Sequence, residues 1–388
     1  HTDGSGLTLN STNKIMFNDA SQFIQGSSAT VLSLGATDEI DLTATAMDFN
    51  GTVAISGDTT IEDGADLITA TAGTSNTRIG VNTGNSITSG GNYNVLVGDE
   101  AGTALTTGGS NVAVGFDALK TEDGGGENTA IGYQALTTLN GSTEGQNVAV
   151  GYLAGTSVTT GIRNVLIGGR TGDALTDADN NVAIGRAALS SDTLGSNSIA
   201  IGRNALINQN FTTATDSQNV AIGDQAGTAI TTGVRNTFLG ALAGDALTDA
   251  DFNVAVGEGA LSADTLGSMS VAIGMNALHV QNFTTATNTY NVAVGQQAGT
   301  AVTTGTNNTL IGGLTGDGLT TGSRNTAVGT FALGADTLGS RNAALGYSAL
   351  NTQNFTTATD SYNTGVGYEA GGAITTGQQN TFVGGLAG

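Results

Sequence analysis

Along most of this chain the apolar residues come in short bursts of period two. Each burst reads Asn, apolar, small, apolar, Gly, as in "NVAVG" (111–115), "NVAIG" (181–185), "NVAVG" (253–257) and "NTAVG" (325–329). Such alternation, with β-branched residues at the apolar positions, predicts a strand of about three residues. Asn opens it (Asn111, Asn181, Asn253, Asn325) and Gly closes it (Gly115, Gly185, Gly257, Gly329). Registered on that Gly, the pattern occurs in 17 copies from Gly98 to Gly384. Twelve of the 16 intervals are 17 residues, one is 19 and three are 21. A degenerate copy, "NTRIG", ends at Gly80. The residue before Gly is Val, Ile or Leu in all 17 copies, the central residue is Ala in 11, and the opening residue is Asn in 15.

After the Gly the copies divide into two kinds. Three residues on comes Ala in 15 of 17 copies. In one kind Leu follows that Ala, as at Leu119, Leu136, Leu189 and Leu206. In the other kind Gly follows, and the apolar residue arrives three positions later, as at Val158, Leu175, Ile230 and Leu247. From Gly115 onward the order is Leu, Leu, Gly, Gly, so four copies make a 72-residue super-repeat. "QNFTTAT" recurs on the same spacing at 209–215, 281–287 and 353–359.

A 17-residue period is too short for helical repeats, which need more than about 30 residues. It suits one turn of a parallel β-solenoid. Stacked turns lie ~4.8 Å apart, so equivalent Asn residues are expected to form a hydrogen-bonded ladder. The alternation offers a Val/Ile face and an Ala face. The expectation is that Val/Ile fills the narrow interior. The Ala face then packs on other copies of the same chain, with Leu166, Phe238, Leu310 and Phe382 as thicker layers in that seam. A cyclic homo-oligomer follows; the period itself sets no symmetry number.

Residues 1–75 share no such unit. "KIMF" (14–17), "EIDLTATAMDFN" (39–50) and "TVAISG" (52–57) alternate like strands, which predicts a separate β-rich shaft or attachment segment ahead of a repeat domain at 76–388. The opening "HTDGSGLTLN" has neither part of a signal peptide, so processing or another export route is expected. The close at "TFVGGLAG" has no polar cap, and solenoid ends need one, so a further C-terminal piece is expected.

Composition changes the picture mainly by exclusion. The 388 residues include 61 Gly and no Pro, Cys or Trp, with 11% charged. The net charge of −22 repels nucleic acid and anionic lipid. Without Cys there are no disulfides or thiolate metal sites. No window is long and apolar enough to cross a bilayer.

The "NxAVGxxAL" strings resemble the head repeats of trimeric autotransporter adhesins. With "TTGxxN" linkers, such as Thr303 to Asn307, they are closer to the repeat regions of tailed-phage tail fibres. The resemblance covers 76–388, and 13–51 is similar to N-terminal segments of such fibres. It implies a homotrimer with a left-handed parallel β-roll in each chain and a cleaved C-terminal chaperone domain. The membrane anchor and coiled-coil stalk of the autotransporters have no counterpart here.

Candidate chemistry is sparse. The only histidines are His1 and His279, and no Ser/His/Asp arrangement repeats. The acids sit in turns such as "GDALTDAD" (172–179) and read as solvated. "DADNN" (177–181) fails the EF-hand spacing because Val182 stands where the loop needs Gly. The Thr pairs do not form the unbroken row that an ice-binding face needs. "EDGGGEN" (122–128) lacks the Lys and helix of a phosphate loop. No enzyme activity, metal or cofactor is expected.

The longer turns bring Phe211, Phe283 and Phe355, with Tyr290 and Tyr362, as candidates to stack on receptor sugars. The competing reading folds the three phenylalanines inward to seal the turn. The sequence therefore reads as an all-β, repetitive β-roll in a homotrimeric fibre. Its expected role is the body of a phage tail fibre in the virion. Other tail proteins, and a host surface glycan or protein receptor, are its expected partners. A bacterial surface adhesin is the alternative, and a polysaccharide-cleaving spike is disfavoured.

Overall fold

The computed structural model describes residues 15–16, 23–28, 31–35 and 73–388, apart from 142 and 143. The chain forms two compact units, His1–Leu67 and Ile68–Gly388. In the first, Ile15–Met16, Phe23–Ser28 and Val31–Gly35 form an antiparallel sheet with a bulge between Gly26 and Ser28. The strands expected at 39–50 and 52–57 lie outside the described residues.

The second unit is a parallel β-solenoid of about 18 turns with roughly 17 residues per turn, and no helix occurs among the described residues. Each "NxxxG" burst forms a three-residue strand, from Thr77–Ile79 to Thr381–Val383. Neighbouring strands pair in register, so that Val112 meets Thr129, Ala113 meets Ala130 and Val114 meets Ile131. At ~4.8 Å per rung the unit extends on the order of 85 Å. Each 21-residue rung adds a second, two-residue pairing, such as Gly195–Ser196 with Thr215–Asp216.

The Asn residues do stack, through a side-chain-to-backbone relay. Asn111 Oδ1 accepts the backbone N–H of Asn128 at 2.9 Å, while Asn111 Nδ2 donates to the Gly125 carbonyl at 3.1 Å. Asn181, Asn253 and Asn325 do the same, reaching Gly195, Gly267 and Gly339. One side chain thus satisfies two buried backbone groups per rung, which a chain this rich in turns needs. The closing Gly has two reasons to be Gly. At Gly115 φ is 134°, and a Cβ would meet backbone atoms of Gly132, 2.7 Å from its carbonyl carbon.

The faces are the reverse of the sequence expectation. The central residue of each strand points into the rung: Ala113, Ala183, Ala255 and Ala327 are fully buried, as are Leu166, Phe238 and Leu310. The flanking Val, Ile and Leu side chains are half-buried or exposed. Inside, the Ala strand faces the Ala and Leu of the return segment, such as Ala118 and Leu119. Leu already fills the narrow interior, leaving room only for Ala opposite.

The large residues are therefore core plugs and not layers of an interchain seam. Where two successive rungs carry Gly instead of Leu, the central residue of the strand grows to fill the gap. A Cβ on Gly155 or Gly172 would lie 2.7 or 2.8 Å from the methyl groups of Leu166. Leu310 stands in the same relation to Gly299 and Gly316, and Phe238 to Gly227 and Gly244. This exchange is the physical content of the Leu, Leu, Gly, Gly order.

Candidate functional site

The features that could meet a partner are the outward side chains of the strands and the longer turns. The third strand position forms an unbroken branched apolar row from Val97 to Val383. Ile131, Leu239 and Leu345 in this row are 37%, 46% and 42% exposed. Just beyond the closing Gly, the row continues into aromatic ladders. Phe116, Tyr133 and Tyr152 stack with centroids 5.4 Å apart, and Arg170 lies 6.0 Å over Tyr152. At the far end Tyr347 and Tyr368 stack at 5.5 Å, with Phe331 edge-on to Tyr347. The reading of the sequence missed these ladders. Their signal was an aromatic directly after the rung Gly in successive copies ("GFDAL", "GYQAL", "GYLAG").

The structure separates the five aromatic candidates of the longer turns. Phe211, Phe283 and Phe355 fold inward and are buried, at 6%, 7% and 4% exposure. They seal the longer turn and are not placed to stack on a sugar. Tyr290 and Tyr362 do not join them. Each stands just before the opening Asn of its strand and is about half exposed. Arg341 lies 5.5 Å over the Tyr362 ring and bonds Asp360 at 3.0 Å.

Beneath each longer turn lies a buried acid that the sequence reading took as solvated. Asp264 Oδ1 accepts the N–H groups of Gly267 and Phe283, both at 3.0 Å, and Oδ2 accepts from Gln281 at 2.6 Å. Gln281 in turn holds Asn291 and Ser270. Asp192 and Asp336 repeat the motif. Glu122, one methylene longer, does so under the 19-residue rung, accepting from Gly125 and Gly141. Burial pushes the Glu122 and Asp336 carboxyls above the usual range, against the pull of these hydrogen bonds. The signal was an acid seven residues after the Gly of the rung preceding each longer one. The turn acids Asp177 and Asp179 tie down the rung before them, accepting from Thr160 and from the Ile162 backbone.

Register also aligns Asp245, Ser262 and His279 in three successive rungs. Ser262 Oγ lies 2.7 Å from His279 Nδ1, and the Gly259 carbonyl lies 3.1 Å from the same nitrogen. A carbonyl only accepts, so the tautomer that satisfies both contacts has Nδ1–H donating. Ser262 is then an acceptor and is not activated as a nucleophile. Asp245 Oδ1 is the one buried side-chain atom without a partner among the described residues, and burial raises its carboxyl.

No helix among the described residues is long and apolar enough to cross a membrane. No family model matches the chain, and neither a curated protein nor a solved structure does.

Proposed function

We propose that residues 76–388 are the body of a homotrimeric adhesive fibre, read as a phage tail fibre, that brings receptor contacts to a host surface. One observation carries this reading: the unbroken apolar row from Val97 to Val383 on the outside of the solenoid. A row on the order of 80 Å long and 10 Å wide offers ~800 Å² of apolar surface, more than a typical monomer leaves to water. That area matches what each partner contributes to a standard interface. Self-association along the row covers it, because equal rungs repeat at the same spacing on every copy. The seam is thus the Val/Ile face, with the Ala face held inside each chain.

The mechanism is mechanical. In-register pairing ties every rung to the next, and the Asn relay reinforces it except after Ser198 and Ser270, so load passes along backbone hydrogen bonds. Receptor contact falls to exposed rings, Tyr290 and Tyr362 among them. Each contact is weak alone and gains strength through several fibres acting together.

The test is the solution mass and frictional ratio by analytical ultracentrifugation. An elongated species of three chains supports the reading, and a monomer overturns it. Immunogold labelling then separates the virion from the cell surface. Label confined to phage tails supports the tail fibre, and label on bacterial envelopes transfers the role to a cellular adhesin.

A further inference from the structure

The longer rungs carry a motif whose exposed positions the fibre reading does not use. In each, the eighth residue after the rung Gly is an Asn followed by x-Ser/Thr: Asn140-Gly-Ser, Asn210-Phe-Thr, Asn282-Phe-Thr and Asn354-Phe-Thr. We propose that these four asparagines are acceptor sites for N-linked sugar. Asn-x-Ser/Thr is the acceptor pattern when x is not Pro and the segment is a surface loop.

Three observations support the assignment. First, all four asparagines are exposed. Second, the amide oxygen is held in three of them: Asn210, Asn282 and Asn354 each accept from a Thr of the preceding rung at 3.0–3.1 Å. The Nδ2 group of these three, the atom that takes the sugar, has no hydrogen bond among the described residues. Third, the pattern persists at Asn140, where the surrounding sequence is not "QNFTTAT".

The buried Phe at the middle position anchors the turn and leaves Thr212, Thr284 and Thr356 exposed for an enzyme to read. Asn307-Asn308-Thr309 shows the contrast. Its Nδ2 is engaged by Thr306 at 3.1 Å, and Thr309 already belongs to a paired strand.

The reaction needs a sugar donor with a phosphate leaving group, nucleotide-linked or lipid-linked, and a transferase. The anomeric C–O bond to phosphate breaks and its electron pair leaves with the phosphate. Nδ2 forms the new C–N bond and gives one proton to a base of the transferase. The four acceptors recur every four rungs, ~19 Å apart, in one row on the return side of the solenoid.

The test is peptide mass mapping of the protein isolated from the cells or particles that naturally make it. Added mass is expected on Asn140, Asn210, Asn282 and Asn354, and not on Asn307. A single hexose would point to a nucleotide-linked donor, and a larger preassembled mass to a lipid-linked one. Thr212→Ala, Thr284→Ala and Thr356→Ala should each abolish the mass on their own Asn, with the melting profile unchanged. Bare asparagines at the four positions would overturn the proposal. So would equal occupancy at Asn307, or mass that survives the Thr→Ala changes. None of these outcomes depends on whether the chain is a trimer.

Discussion

Phe238 and Gly227 share one volume: a Cβ on Gly227 would lie 2.7 Å from Cδ2 of the Phe238 ring. Gly244 meets the same ring from the other side. A large strand residue and two small return-segment residues are thus a single packing decision, made once every four rungs.

Phe238→Ala should cost about 3–5 kcal/mol, because the cavity is closed on both sides by rigid rungs. Phe238→Leu should cost far less, since Leu166 and Leu310 already fill equivalent sites. Adding Gly227→Leu to Phe238→Ala should restore part of the loss. Leu takes that backbone conformation elsewhere, with φ of 49° at Leu206 against 58° at Gly227. Denaturant melts of the parent, Phe238→Ala, Gly227→Leu and the double mutant make the cycle, and an additive double mutant would refute the exchange.

The Asn relay predicts a localised failure. Asn253→Ala leaves the Ser270 N–H and the Gly267 carbonyl buried without their partner. The expected cost is about 2–5 kcal/mol. Hydrogen exchange should show the Ser270 amide deprotected first, with distant rungs unchanged. Uniform loss of protection would argue against a relay that acts rung by rung.

This fold should gain stability on mild acidification. Burial raises the carboxyls of Glu122, Asp336, Asp173, Asp245 and Asp317. A carboxyl raised in the folded state contributes stability that is full below its unfolded pKa and is lost as pH rises through the folded one. Stability should therefore climb as pH falls from 7 toward about 4, the ordinary carboxylate range. Relief of the −22 charge acts in the same direction. A gain of ~1 kcal/mol would raise the melting temperature of a unit this long by roughly 1–2 °C. Glu122→Gln should flatten that slope whatever its effect on the baseline. Thermal melts at stepped pH check both, and a profile that falls on acidification would contradict the assignment.

The outward row and the inward row should respond differently to the same charge. Ile273→Glu, at a site 38% exposed, should leave the rung folded and reduce the sedimenting mass to one chain. Ala272→Glu puts the same carboxylate into the fully buried interior and should prevent folding. If Ile273→Glu sediments as the parent does, the seam lies elsewhere.

Much of this was legible in the sequence. Period, strand position, register, the Asn stack and the 72-residue super-repeat all follow from spacing, because a solenoid maps sequence period directly onto structure. The assignment of faces was not. Val/Ile against Ala looks like inside against outside only if the strand is considered alone. The deciding partners, Leu119 and its equivalents, stand on the return segment in a left-handed conformation (φ 53° at Leu119) that no pattern of alternation signals. For the same reason the buried role of Asp264 was hidden. Its hydrogen-bond partners Gln281 and Phe283 come from the next rung.

The exchange between Phe238 and its glycines also governs how such a gene can change length. Excising one 17-residue rung would bring Leu261 to the place of Gly244, against a ring that already fills it. Excising four restores every neighbour, because each residue then meets the equivalent of its former partner. Unequal recombination is thus filtered by packing. Natural length variants should differ by multiples of 72 residues, and a lineage that had gained or lost a single rung would show the plug and its glycines altered together.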